Sequence, residues 1–376
     1  MALRALARVN LAAIERNVMG LRSRLAAGTE LCAVVKADAS GHGAVQVARA
    51  ALSGGATSLA VATAREAVEL RDAAISAPVL VLGALSAEEL PIALAAGAEL
   101  TAWTETFVSK VQASAREPVR IHVKFDTGMG RLGMRSLSEA LAVADRVSGG
   151  APQLQLAGAM THFATADGDD GFMAVQLAAF EPFAVQMRLR APEIVVHAAN
   201  SAATVRDPAT HFDMVRCGIA LYGCDPMNEN PDNYGLEPAL ELTSYVAALK
   251  LTRPGESVGY GRRFVADRET WIATLPIGYA DGIRRALSAN CDALIAGSRY
   301  PLVGTVSMDN ITIDAGRELP PGVRIGATAT IVGRDGDERQ TIEDLANRID
   351  TVAHEVLCGI SARVPRSYHR DGAAAQ

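Results

Sequence analysis

Leu31-Cys32-Ala33-Val34-Val35-Lys36-Ala37-Asp38 is a short apolar run that ends abruptly in a lysine and an aspartate. It reads as a buried β-strand that delivers polar residues at its C-terminal end. The pattern recurs at Ser58 to Thr63, Pro78 to Gly83, Leu100 to Trp103, Val119 to Thr127, Leu154 to His162, Glu193 to Ser201 and Met214 to Gly223. Between most of these runs lie alanine- and leucine-rich stretches with apolar residues three and four apart, such as Gly43 to Leu52 and Ala64 to Ala74. Leu11, Ile14, Val18, Leu21 and Leu25 form an amphipathic helix ahead of the first strand. Buried strands alternating with helices predict a parallel sheet. Eight of them over about 200 residues predict a closed (β/α)8 TIM barrel. A doubly wound open sheet is the alternative, but no glycine-rich dinucleotide fingerprint follows the first strand.

The texture changes near Asn228 to Pro238, where asparagine, aspartate and proline cluster as in a domain linker. Alternating strands follow at Leu240 to Leu251, Ser257 to Val265, Trp271 to Pro276, Asp292 to Ala296, Leu302 to Ile313 and Ala327 to Gly333. One helix, Thr341 to Ile349, opens on a Thr341-x-x-Asp344 capping pattern. The reading is therefore α/β, with a barrel over residues 1–235 and a mostly β domain over residues 236–376. The first residues are candidates to pair with the second domain.

A chain of 376 residues is longer than one core usually holds, in keeping with two domains. Its 49% hydrophobic and 21% charged residues exclude a disordered chain. No apolar stretch approaches the roughly 20 residues that span a bilayer, so no membrane association is expected. The first residues lack a signal-peptide pattern, and a cytoplasmic location is expected. A net charge of −6 argues against a nucleic-acid partner. Five scattered cysteines, with no CxxC pair and no metal-ligand spacing, read as reduced thiols.

In a (β/α)8 barrel, chemistry sits at the C-terminal strand ends. There the sequence places Lys36, Lys124, Arg131, His162, His197, Asn200, Ser201 and Arg216. Lysine occurs at only four positions, Lys36, Lys110, Lys124 and Lys250, so one following Val34-Val35 stands out. A lysine desolvated there is a nucleophilic amine suited to a Schiff base with pyridoxal phosphate. A surface lysine is the bland alternative. His162 equally suits a satisfied core histidine, Arg216 a structural barrel arginine, and Lys124 and Arg131 simple salt bridges. Their joint presence at one barrel mouth favours chemistry, because each burial needs compensation.

These motifs resemble those of the alanine racemases. Val35-Lys36-Ala37-Asp38-Ala39-Ser40-Gly41-His42-Gly43 is similar to that family's pyridoxal-phosphate lysine motif, and Asp126-Thr127-Gly128-Met129-Gly130-Arg131-Leu132-Gly133 to its second signature. Thr161 to Asp167, Asn200 to Ala203, Arg216 to Gly223, Val258 to Gly261, Pro276 to Gly282, Val306 to Asp309 and Arg363 to Arg366 resemble further segments, in order along nearly the whole chain. The resemblance implies a fold-type III pyridoxal-phosphate enzyme and a head-to-tail homodimer with shared active sites. It would interconvert L- and D-alanine, supplying D-alanine for peptidoglycan. Lys36 would hold the cofactor and act as one base, and Tyr260 of the partner subunit would be the other. His162 would hydrogen-bond that tyrosine. Arg216 would face the pyridine nitrogen with His197 behind it. Ser201 and the backbone of Gly218 and Ile219 would hold the phosphate. Arg131 would orient the substrate carboxylate, Met308 would contact substrate through its backbone, and Tyr279 would guard the entrance. Lys124 matches a position often carbamylated in the family.

The roles are chemically coherent. Racemisation removes a proton from one face of Cα and returns one to the other, which two opposed bases do most directly. An arginine at the pyridine nitrogen keeps it unprotonated and limits side reactions such as transamination. Three positions depart from the family pattern. Ser40 and His354 replace phosphate-contacting tyrosines, and Thr305 replaces a frequent arginine of the access corridor. They bear on cofactor retention and substrate breadth. A broad-specificity amino-acid racemase is the nearest rival reading. A non-catalytic pyridoxal-phosphate carrier would be a lone barrel without Tyr260. A metal-assisted aldolase would need a metal pair, and the second domain holds only His354 and His369.

Overall fold

The computed structural model describes residues 3–168 and 171–375. The chain divides into two compact units. One comprises Ile14–Ala39 and Gly43–Leu221, and the other comprises the residues up to Ala13, Ser40–His42 and the chain from Tyr222 onward.

After a first strand, β1 (Leu6–Asn10), come the eight strands that the apolar runs predict. They are β2 (Glu30–Val34), β3 (Ser58–Val61), β4 (Val79–Val81), β5 (Glu99–Ala102), β6 (Val119–Lys124), β7 (Leu154–Met160), β8 (Val195–His197) and β9 (Met214–Cys217). All pair in parallel, in the order β8-β7-β6-β5-β4-β3-β2-β9. At the remaining seam the amide of Asp213 donates to Val196 O (3.0 Å) and that of Arg216 to Ala199 O (2.9 Å). The sheet thus curls into a nearly closed barrel. Cys32, Val34, Ala60, Leu80 and Met214 make one buried cluster, in which side chains the size of Val34, Leu80 and Met214 are each worth about 1.5–3 kcal/mol when removed from water. Helices follow the strands, and several start on side-chain caps: Thr63 accepts from the amide of Glu66, Thr104 from Phe107 and Ser136 from Glu139.

The second unit is mostly β. Strand β1 pairs antiparallel with β10 (Leu240–Tyr245) and parallel with Arg366–Arg370. Three expected strands are each broken in two. Leu240 to Leu251 switches partner midway. The amide of Val246 bonds Ala327 O and that of Ala247 bonds Thr274 O, so β10 pairs with Thr328–Asp335 while Ala248–Thr252 pairs with Thr270–Leu275. Leu302 to Ile313 is divided by the loop 304–310, leaving Ser298–Val303 and Ile311–Gly316. Ser257 to Val265 is a hairpin whose turn carries Tyr260. The helix spans Ile342–Arg348 with the full Thr341/Asp344 capping box, and a further helix at Ala353–Cys358 was not signalled by the sequence.

Candidate active site

The site begins where β2 ends. Lys36 opens one helical turn, Lys36–Gly41, in which Ala37, Asp38, Ala39 and Ser40 all have φ of 52–53°. Four successive L-residues in the left-handed region are costly, at about 1–2 kcal/mol each. Side chains hold the turn in place: Glu66 Oε1 accepts from the amide of Ala37 (2.6 Å) and Asp38 Oδ1 from that of Ala44 (2.7 Å). Lys36 itself is exposed at the barrel's C-terminal end, which corrects the expectation of a desolvated amine.

The desolvated lysine is Lys124, at the end of β6, only 4% exposed. Burial, reinforced by Arg216 and Arg131, lowers its pKa to about 8. Neither Lys124 nor Arg131 forms an ion pair among the described residues, so the salt-bridge reading of both is set aside. The second signature folds around Asp126, whose carboxylate accepts from the amides of Gly128 and Gly130 and so shapes the loop that carries exposed Arg131.

Arg216, on β9, is buried. It donates through Nη2 to Thr161 O and Ala198 O (both 2.9 Å) and through Nη1 to His197 Nδ1 (2.8 Å), and Nη2 lies 3.3 Å from His162 Nδ1. Burial draws its pKa down to about 10, so the guanidinium stays charged at neutral pH. His162 and His197 are both held well below the usual imidazole range, by burial first and by Arg216 second. Lys124, Arg131 and Lys36 add to the effect on His162. Ser201 starts the helix after β8, with Asn200 as its cap. Its Oγ accepts from the amides of Gly218 (2.9 Å) and Ala220 (3.4 Å), which brings together the residues expected to hold a phosphate. Ile219 is buried beside them.

Tyr260, Tyr279 and Met308 lie in the second unit and are strongly exposed, Tyr260 most of all at 72%. Thr305 Oγ1 donates to Tyr260 O (3.0 Å). The amides of Tyr279 and Ala280 donate to Ser307 O and Met308 O, which ties the two substrate candidates into one backbone cluster. Only glycine fits at Gly278, where a Cβ would meet those same carbonyls at 2.4 and 2.5 Å. Buried Asp281 holds the turn, accepting from the amide of Gly278 and pairing with Arg4 and Arg363.

Three contributors escaped the sequence reading. Gln176, buried, donates to His162 O and accepts from the amide of Ala164, fixing the histidine's loop. Glu99 and His122 continue the hydrogen-bonded line behind His197.

The alanine racemase N-terminal domain model matches residues 9–226, and the alanine racemase C-terminal domain model matches residues 239–368. The chain belongs to the alanine racemase family. It is 41% identical to the alanine racemase of Geobacillus stearothermophilus, over 97% of this chain and 93% of that protein. With alanine racemase 1 of Bacillus subtilis strain 168 the identity is 38%, again over 97% and 93%. Among solved structures, alanine racemase from D-cycloserine-producing Streptomyces lavendulae superposes with a TM-score of 0.92 at 37% identity, over 98% of both chains. Alanine racemase from Bacillus anthracis with bound L-Ala-P gives 0.91 at 36% identity, over 100% of this chain and 97% of that one. Alanine racemases are pyridoxal-phosphate enzymes, and the donor set here fits that cofactor. Lys36, Lys124, Arg131 and Arg216 all bear electrostatically on His162, and the Gly218 and Ala220 amides converge on Ser201, so the barrel mouth is electropositive and rich in donors.

Proposed function

We propose that this chain racemises alanine at a site assembled from the barrel mouth of one subunit and Tyr260 of the partner subunit in a homodimer. What carries the reading is the convergence at one barrel end of Lys36, His162, Ser201 and a buried, charged Arg216. In this reading Lys36 holds pyridoxal phosphate covalently, Arg216 with His197 behind it faces the pyridine nitrogen, and Ser201, Gly218 and Ile219 take the phosphate. When bound, the cofactor draws electrons from the substrate's Cα and so acidifies its proton.

The protein supplies the proton transfers. Lys36 Nζ takes or delivers the Cα proton on one face, and the Tyr260 hydroxyl of the partner subunit does so on the other. Arginine has no acceptor, so His162 Nδ1 accepts from Arg216 and the imidazole proton sits on Nε2, free to serve a tyrosine oxygen. Arg131 pairs with the substrate carboxylate; the Met308 backbone is a further substrate contact and Tyr279 an entrance residue, each supplied, like Tyr260, by a second unit. Lys124 lies between Arg216 and Arg131 electrostatically, and a carbamate there would turn a buried cation into the anion those arginines favour.

Mixed subunits test the shared site. Tyr260→Phe and Lys36→Ala homodimers should each lose about 10²–10⁴ in racemisation rate. In a heterodimer of the two, one site receives both defects and the other neither, so activity returns. Heterodimers shown to form without any recovery would refute the shared site.

A further inference from the structure

We infer that Glu99 is a positioning residue, whose carboxylate fixes the tautomers of His122 and His197 and thereby presents an acceptor nitrogen to Arg216. The inference rests on the reading of Arg216 as the group that faces the cofactor.

Four side chains form one line through the barrel. Glu99 Oε2 lies 2.8 Å from His122 Nε2, His122 Nδ1 lies 2.8 Å from His197 Nε2, and His197 Nδ1 lies 2.8 Å from Arg216 Nη1. Glu99 begins β5, His122 lies within β6, His197 ends β8 and Arg216 is the third residue of β9. The line therefore runs from the N-terminal face of the barrel toward the face that carries the chemistry.

Its proton arrangement is determined. Arg216 can only donate, so His197 Nδ1 accepts. Burial and the neighbouring guanidinium keep His197 neutral, so its one proton is on Nε2 and is donated to His122 Nδ1. His122 then carries its proton on Nε2 and donates it to Glu99. Burial opposes the charge on Glu99, but the bonds from His122 and Arg120 outweigh it and hold the carboxyl below its ordinary range. Without an acceptor at position 99, the His122 proton has no partner. Moving it to Nδ1 sets it against the His197 proton, and moving that one in turn opposes Arg216 with a donor. A partly satisfied buried network costs more than none.

The barrel is built around this line. A register shift between Ile121 and His122 sets His122 opposite Gly158 of β7, where a Cβ would lie 2.0 Å from the imidazole. Arg120 Nε holds the other Glu99 oxygen at 2.6 Å.

Long-range ¹H–¹⁵N spectra of histidine-labelled protein, with and without cofactor, read the tautomers directly. His122 and His197, assigned through single variants, should both be protonated on Nε2, and an Nδ1 proton on either in the wild type overturns the proposal without any variant needing to fold. Glu99→Gln keeps an acceptor and should preserve both tautomers and near-wild-type turnover. Glu99→Leu should mix the tautomers and lower kcat about tenfold with KM little changed. Wild-type tautomers and kcat in Glu99→Leu would also overturn it. Lys36→Ala separates the two readings: persistent racemisation there would refute the site assignment while leaving the tautomers to be judged alone.

Discussion

Gly158 stands directly across the sheet from His122, so close that a single methyl group on it would lie 2.0 Å from Nδ1 of the imidazole. A glycine in a central barrel strand weakens the strand, and its presence here makes room for a ring that belongs to a polar line.

That relationship predicts a conditional cost. Gly158→Ala should destabilise the protein by about 1–3 kcal/mol through overpacking. In a His122→Ala background the same substitution should cost little, since the ring it strikes is gone. Denaturant titration of the four proteins of this cycle measures the coupling, and equal costs in both backgrounds would remove His122 as the reason for the glycine.

A second prediction concerns Asp281, fully buried between Arg4 and Arg363. Asp281→Ala leaves the Gly278 amide without its acceptor and removes the anion from two arginines, at a cost of about 3 kcal/mol. Asp281→Asn keeps an acceptor for that amide and should lose less. The difference in thermal midpoints reads it, and the turn that aligns Tyr279 with Met308 should loosen in step.

Much of this architecture is legible in the sequence, and the exceptions have physical reasons. The eight barrel strands are apolar and β-branched, so each leaves its own mark. The second unit is harder because a strand that changes partner stays apolar throughout. Nothing at Val246-Ala247 signals that the chain leaves one strand pairing for another. The apolar run locates Lys36 at the end of its strand but says nothing of its depth, and the residue is exposed. Its exposure follows from a left-handed turn that Ala37-Asp38-Ala39-Ser40 does not favour locally and that Glu66 and Asp38 impose through hydrogen bonds. His122 lies in a strand buried at every position but Arg120, indistinguishable from core until Gly158 and Glu99 are seen beside it.

The buried amine of Lys124 predicts a pH dependence. Its pKa is about 8 in the folded chain, against an ordinary value of 10.5. Below pH 8 the lysine is charged in both states and the folded state bears the penalty. Between pH 8 and 10.5 the unfolded chain binds more protons, so folding gains stability as pH rises through that window. Lys124→Met should therefore stabilise the cofactor-free protein by roughly 3 kcal/mol at pH 7, in buffer free of carbon dioxide, and the gain should fade toward pH 10.5. Denaturant midpoints at several pH values check it. A gain that grows with pH would contradict the assignment.

The left-handed turn after Lys36 offers a sharper test, because neighbouring residues with the same backbone conformation should respond oppositely to glycine. Ala37 has φ of 53° and an exposed side chain. Glycine there relieves about 1–2 kcal/mol of backbone strain and costs about 0.5–1 kcal/mol in unfolded-chain entropy, so Ala37→Gly should be mildly stabilising. Asp38 has the same φ, but its Oδ1 caps the amide of Ala44 at 2.7 Å. Asp38→Gly gains the same relief and gives up that bond, whose loss from a helix start costs about 0.5–2 kcal/mol. It should come out neutral or destabilising. Thermal unfolding of the two variants beside the wild type decides the matter. If both stabilise equally, the Asp38 carboxylate contributes nothing to holding the turn. If neither does, the turn is not strained, and the hydrogen bonds that Glu66 and Asp38 accept from the Ala37 and Ala44 amides lose their explanation.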